Sequence, residues 1–377
     1  MNTTWKKIFR IIILFILLRT LLGVWMWWMP KIFQVTLPFS QDDLYKGVVR
    51  ESNPWLEPWQ RWDTLHYQAI AERGFKAFDT ALFTPPLYPF LMRLFSPLFE
   101  GNTLASGLFI SALAFLGCLI CIYFLAHLEL QDSEASWRAV IYISIFPTSF
   151  FFLAAYNESL FLLNTLLCFY FVKKSHWILA GFFAALAALT RIPGAFLLLP
   201  LLWSAKEAWD QGDKLAWLAP TINSIGILCF PLYTWLVLHA SPFSIFQAQN
   251  KRGGSIDIPG KNIIEATKRI IEGRLVIENL TELAFTTLLI ITAIFIWKKL
   301  PRVYGIYTTS LVVFFLARFG SPQPLISMNR YALEVFPVFV LLATIGNVEW
   351  KNRVIIYQSL LGLLFFSAQF AIWGWAG

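Results

Sequence analysis

The segment Arg61-Trp62-Asp63-Thr64-Leu65-His66-Tyr67 gathers a guanidinium, a carboxylate and an imidazole within seven residues. Such groups beside a membrane are costly to hold and mark places where something is bound or reacted. A positioned carboxylate at Asp63 can take a proton from a hydroxyl, and general-base help of this kind contributes about 10²–10⁴ in rate. Asp63, His66 and Tyr67 have the i, i+3, i+4 spacing of one helical face. His66 can orient Asp63 or donate to a phosphate. Arg61 can pair with Asp63 or bind phosphate. On residue type alone a structural reading stands beside each: Asp63 caps the helix, His66 makes an interfacial hydrogen bond, and Arg61 snorkels between aromatic neighbours.

Further polar residues interrupt apolar stretches. Glu158, in Tyr156-Asn157-Glu158-Ser159, suits either a bound hydroxyl or the positive end of a helix dipole. Arg191, in Leu189-Thr190-Arg191-Ile192-Pro193-Gly194, lies between apolar runs, and a guanidinium fork matches phosphate oxygens. Arg330-Tyr331 forms a second such position. Lys251-Arg252-Gly253-Gly254 is a basic turn whose backbone N–H groups can cradle an anion. Asp42-Asp43 is an acidic pair that can serve as a base, hold a metal or simply face water. A divalent metal is compatible with that pair but is not indicated by it, and no cofactor is implied.

The elements that must hold these groups are written in the composition. Of 377 residues 58% are hydrophobic and 14% are charged, against about 25% charged in a soluble protein. The mean hydropathy is +0.62. A span needs roughly 20 apolar residues. Such runs cover 9–29, 104–128, 137–155, 215–240, 283–297, 303–317, 331–345 and 354–375, with shorter ones at 160–172, 177–189 and 195–203. The expectation is an all-α, polytopic membrane protein of about 11 transmembrane helices in a single domain over 1–377. The first run follows Lys6, Lys7 and Arg10 and ends in Trp25, Trp27 and Trp28, which suits an uncleaved first span.

The net charge of +8 is spread over short clusters between apolar runs, a pattern of topology signals that argues against nucleic-acid binding. With Lys6, Lys7 and Arg10 inside, alternation places Arg138, Lys173, Lys174, Lys206, Lys214, Lys298, Lys299, Arg302, Lys351 and Arg353 inside too. The polar positions singled out above then face the extracytoplasmic side. There the first loop, 30–103, is expected to carry one or two interfacial helices, broken at Pro85-Pro86. Cys118, Cys121, Cys168 and Cys229 sit in apolar runs and suggest packing, with neither disulfides nor a metal site.

Arg61-Trp62-Asp63, two residues, His66-Tyr67 and then Ile70-Ala71-Glu72-Arg73-Gly74-Phe75 resembles the first luminal loop of the PIG-V-type mannosyltransferases. Pro86-Leu87-Tyr88-Pro89, Asn157-Glu158-Ser159 and Thr190-Arg191 follow in that family's order, so the resemblance is anchored over residues 55–200; Asn157 departs from the family's Thr. Beyond residue 205 it rests on hydropathy and Arg330-Tyr331. It implies an integral membrane glycosyltransferase of the GT-C class, with Asp63 as general base. Arg61, His66, Glu158, Arg191, Arg330 and Tyr331 would be the substrate-binding residues. The donor would be a sugar, mannose first, on a polyprenyl phosphate, and the acceptor a lipid or glycan hydroxyl. Transfer would invert the anomeric centre. The surroundings are membrane lipids, with the plasma membrane of a prokaryote preferred to the endoplasmic reticulum. A transporter or flippase of lipid-linked sugars is the main rival, since it too needs buried Arg. Paired repeats, which many transporters show, are not detected. A non-catalytic membrane scaffold is the second rival.

Overall fold

The computed structural model describes residues 3–35, 37, 40–274, 277–320, 323–374 and 376. Helices dominate. Among the described residues five helices are long and apolar enough to cross a membrane: Thr4–Ile32, Thr103–Leu130, Lys214–Leu236, Asn279–Lys299 and Glu349–Ala371. A sixth candidate is the pair Met328–Glu334 and Pro337–Ile345, bent by 86° at the break between them. The bend falls where Pro337 removes a backbone donor and restricts the residue before it. The remaining expected spans are helical but shorter or broken. Ser133–Ile145 stops before Phe146-Pro147, and a 3₁₀ turn, Ser149–Phe152, follows. Trp177–Thr190 and Arg302–Ala317 have 14 and 16 residues.

The chain divides into two compact units. The first comprises Met1–Ala81, Leu87–Leu163 and Leu342–Ala376. In it the helix Thr103–Leu130 packs on Ser133–Ile145 and on Leu87–Phe95, and Thr3–Ile32 packs on Glu349–Ala371. The Asn102 side chain caps Thr103–Leu130 by accepting from the Ala105 N–H at 3.0 Å. Cys118 lies on this helix, and its thiol donates to the Ser159 carbonyl. The loop helix Asp63–Arg73 has seven buried residues, Thr64, Leu65 and Tyr67–Ala71. It is therefore packed into its unit on most sides, a deeper placement than an interfacial helix has. Polar residues on it bond to neighbours outside it: Gln68 donates to Thr103 Oγ1, Thr103 donates to Glu72, and Gln60 donates to Gln68.

The second unit comprises Leu82–Pro86 and Asn164–Leu341. Its closest packing joins Trp177–Thr190 to Leu218–Leu236. A Cβ at Gly181 would lie 2.7 Å from the Ala219 carbonyl, and one at Gly226 would lie 2.5 Å from Ala185. Only glycine allows the two backbones this near, as in small-residue helix packing within membranes. A short antiparallel pair, Gly254–Ile256 with Arg318–Gly320, joins Gly254 to Gly320 and Ile256 to Arg318.

Candidate active site

Asp63 opens the helix Asp63–Arg73, and the residue before it has an unusual backbone. Trp62 lies at φ +50°, ψ −120°. The Thr64 N–H donates to the Arg61 carbonyl at 3.0 Å, closing a tight turn whose second residue is Trp62. That position normally takes glycine. A bulky residue held there costs about 1–3 kcal/mol, and such strain clusters at functional sites. What holds it is visible. The Trp62 indole donates to the Gly374 carbonyl at 3.3 Å and meets the Trp373 ring edge-on. Trp62 also packs on the apolar cluster of Leu44, Tyr45, Val48, Leu65 and Ala69.

Arg61, on the other side of the turn, is fully buried. Its Nε donates to the Ala371 carbonyl at 3.0 Å, its Nη1 to the Glu57 carbonyl at 2.6 Å, and its Nη2 to Glu57 Oε2 at 3.0 Å. The Trp373 ring lies 4.8 Å from the guanidinium. Burial pushes the Arg61 guanidinium below its ordinary value, and the adjacent Glu57 carboxylate works against that fall. The ion pair of Arg61 is thus made with Glu57, and its Nε alone ties the loop to the last turn of a distant helix. A lysine here keeps the charge but loses the planar fork. Arg61→Lys is expected to raise amide exchange at 61–66 and at 371–374 together, by about threefold or more, because a segment opens more readily once hydrogen bonds that anchor it are removed. Hydrogen–deuterium exchange checks this.

Asp63 itself is anchored through its backbone. Its N–H donates to Tyr156 Oη at 3.2 Å. Tyr156 is buried, its carbonyl accepts from Ser111 Oγ at 2.9 Å, and Ser111 Oγ lies 2.8 Å from Tyr88 Oη. His66 Nδ1 is 3.8 Å from Asp63 Oδ1 and 3.3 Å from the Trp62 carbonyl, and its ring stands edge-on to Phe78. The shared face expected of Asp63 and His66 is present. Both side chains keep partial exposure, 15% for Asp63 and 18% for His66, unlike the buried Arg61 between the same elements. Glu158 is buried at the start of the helix Glu158–Lys173, two residues after Tyr156. This unit therefore joins Asp63 to Tyr156 and sets Arg61 and His66 on either side of the Trp62–Asp63 turn, with Glu158 two residues beyond Tyr156.

Tyr156 is not conspicuous in the sequence; an aromatic hydroxyl close to an expected site residue gives little signal by itself. Tyr156→Phe removes the acceptor of the Asp63 N–H. A single hydrogen bond contributes about 0.5–1.5 kcal/mol, so amide exchange at Asp63 is expected to rise roughly 3- to 10-fold. Hydrogen–deuterium exchange on the purified variant measures it.

The second unit holds Arg191, Arg330 and Tyr331. Arg191 follows the last residue of Trp177–Thr190 in extended backbone. The chain then folds back so tightly that a Cβ at Gly194 would sit 2.3 Å from the backbone of Ala187 and Ala188. Arg191 is 7% exposed, and its Nη2 pairs with Glu334 Oε1 at 2.7 Å. Glu334 is buried, and its backbone carbonyl accepts from Tyr307 Oη at 2.9 Å. Arg330 and Tyr331 lie on the short helix Met328–Tyr331, with the Tyr331 ring stacked on Phe315 and under the Arg318 guanidinium. Glu282 and Glu334 are functional-looking acids that sequence reasoning passes over.

Two other expectations resolve into local structure. Asp43 accepts from Ser40 Oγ at 2.6 Å at the start of the turn Gln41–Tyr45; the Asp42 side chain lies outside the described residues. In Lys251-Arg252-Gly253-Gly254 the Arg252 guanidinium lies 4.1 Å from the Phe83 ring, and Gly254 enters the two-stranded pair. Among the described residues no group of three or more His, Cys, Asp or Glu side chains is placed to hold a metal ion.

A family model described as dolichyl-phosphate-mannose-protein mannosyltransferase matches residues 84–235. That stretch includes Glu158 and Arg191 and lies outside Asp63, His66, Arg330 and Tyr331. No curated protein matches the chain. Among solved structures, the crystal structure of ArnT from Cupriavidus metallidurans bound to undecaprenyl phosphate is similar, with a TM-score of 0.54 at 14% sequence identity. The match covers 93% of this chain and 62% of that one, so the chain spans under two thirds of the length of the protein it resembles. A likeness of this depth is one of fold: the chain is an α-helical integral membrane protein with an ArnT-like fold.

Proposed function

We propose that the protein is a glycosyltransferase that moves a sugar, mannose in the first instance, from a polyprenyl-phosphate donor to a hydroxyl of a lipid or glycan. The observation that carries this reading is Asp63 itself: a partly exposed carboxylate set on a strained turn, fixed from behind by Tyr156 and flanked by His66 at 3.8 Å. The ArnT-like fold and the match of residues 84–235 to a family named for a lipid-linked mannose donor support it. The resemblance of the Arg61–Tyr67 segment to PIG-V-type enzymes points the same way.

In this reading the acceptor oxygen attacks the anomeric carbon, and the bond from that carbon to the phosphate oxygen breaks. The electron pair leaves with the lipid phosphate, and Asp63 receives the acceptor proton. One displacement inverts the anomeric centre. His66 orients Asp63, Glu158 serves the sugar side, and Arg191, Arg330 and Tyr331 serve the phosphate. Arg61 acts at a distance from substrate, holding the turn that carries Asp63. The reaction takes place on the extracytoplasmic face, in agreement with the distribution of Lys and Arg, and the remaining apolar helices complete a set of about eleven spans.

The test is transfer from labelled polyprenyl-phosphate-mannose to membrane lipids by purified protein, with the product's anomeric configuration read by NMR. Transfer with inversion is expected. Absence of transfer from mannose, glucose and arabinose donors alike would overturn the reading, and the transporter would then be tested by flux of the same donors across proteoliposomes.

A further inference from the structure

The segment Ser327–Glu334 is held at both ends by buried carboxylates. At its end, Glu334 pairs with Arg191. At its start, Glu282 of the helix Ile277–Lys299 reaches across with both oxygens. Glu282 Oε1 accepts from the Ser327 N–H at 3.1 Å, and Oε2 accepts from the Met328 N–H at 2.5 Å and the Asn329 N–H at 3.3 Å. The next two amides are satisfied within the segment. Arg330 N–H donates to Asn329 Oδ1 at 2.6 Å, and Tyr331 N–H donates to the Ser327 carbonyl at 2.8 Å. Every backbone N–H from Ser327 to Tyr331 thus has an acceptor, three of them on one side chain.

This completeness has a physical reason. The segment is non-helical on entry, with Ser327 in the left-handed region at φ +60°. It is also buried: Ser327, Met328 and Asn329 are each about 2% exposed or less. In hydrocarbon an unpaired backbone amide costs several kcal/mol, so irregular backbone survives there only where it is internally satisfied or lines a cavity. Discontinuous helices of this kind are where membrane proteins place groups that bind charged substrates. The 86° bend to Pro337–Ile345 marks such a discontinuity.

We propose that Glu282 is a positioning residue: by clamping the Ser327–Asn329 amides it fixes the backbone from which Arg330 reaches the lipid-linked phosphate. This rests on the functional reading above, and it assigns to Glu282 a role that acts wholly through Arg330. Glutamine is the informative replacement. It retains the shape and one acceptor oxygen, but whichever way the amide turns its N–H₂ faces a backbone donor, so at least one of the three bonds is broken. The phosphate-binding arm is then held in several backbone states, and donor affinity falls by the fraction that remains competent.

The experiment measures undecaprenyl phosphate binding by native mass spectrometry in detergent, alongside donor KM and kcat. Wild type, Glu282→Gln, Arg330→Ala and the double variant are compared. Glu282→Gln is expected to weaken undecaprenyl phosphate binding and raise donor KM by about 10-fold or more, with kcat changed less than about threefold, the pattern of lost uniform binding. The double variant is expected to be no weaker than Arg330→Ala, because residues acting as one unit do not add. Additive losses, or unchanged binding in Glu282→Gln, would overturn the role of Glu282. Should Glu282→Gln not fold, Asn329→Ala, which removes the acceptor of the Arg330 N–H, is expected to raise donor KM by about 3-fold; no change there would equally overturn it. Wild-type protein that binds no undecaprenyl phosphate would instead sink the functional reading, an outcome visible before any variant is made.

Discussion

Asp63→Asn is expected to lower kcat for sugar transfer by about 10²–10⁴-fold, the range that general-base help supplies. Donor KM is expected to stay within a few-fold of wild type, since the amide fills the same space and the backbone bond to Tyr156 Oη does not involve the side chain. The fold should be unaffected: the turn is held by Arg61, Trp62 and their partners near Gly374, none of which the substitution touches. Pre-steady-state transfer from labelled donor, with thermal unfolding as a control, checks both halves. Transfer at the wild-type rate would remove Asp63 from the chemistry and return it to a structural role at the helix start.

Arg191→Ala should be the most damaging single change to stability. It leaves the Glu334 carboxylate buried beside the space its partner occupied, and removing one member of a buried ion pair costs about 3–5 kcal/mol. Donor binding should be lost as well if Arg191 serves the phosphate. The two effects separate in a double variant. Arg191→Ala with Glu334→Ala removes both charges and should recover much of the stability, while donor binding stays absent. Unfolding of the purified proteins in detergent and binding of undecaprenyl phosphate give the two readouts. A double variant no more stable than Arg191→Ala would mean that the pair is not the source of the loss.

Both residues are legible in the chain before any fold is known. The apolar runs define membrane helices, and the spacing of Asp63 and His66 places them on one face because a helix repeats locally. Arg191 is legible because a charge between apolar runs is conspicuous. Its partner is not: Glu334 stands 143 positions later, inside what hydropathy reads as the start of a span over 331–345. Glu282 is hidden for the same reason. It directly follows Asn279-Leu280-Thr281, at the edge of an apolar run, and nothing local says that three amides some 45 residues away need it. The identity of Arg61's partners is also tertiary: Glu57 is four residues off and could be guessed, whereas the Ala371 carbonyl could not. Hydropathy overestimates helix length at Pro147 and Pro337, where prolines interrupt helices that composition alone would extend.

The ties from Arg61 to Ala371 and from Trp62 to Gly374 span 310 and 312 residues. A ribosome delivers the chain in order, so the turn bearing Asp63 enters the membrane long before the segment that holds it has been made. Until that segment arrives, Trp62 lacks its hydrogen bond to the Gly374 carbonyl and its contact with the Trp373 ring. The geometry of the Asp63 turn is therefore completed only once the helix Glu349–Ala371 and the residues just after it are in place.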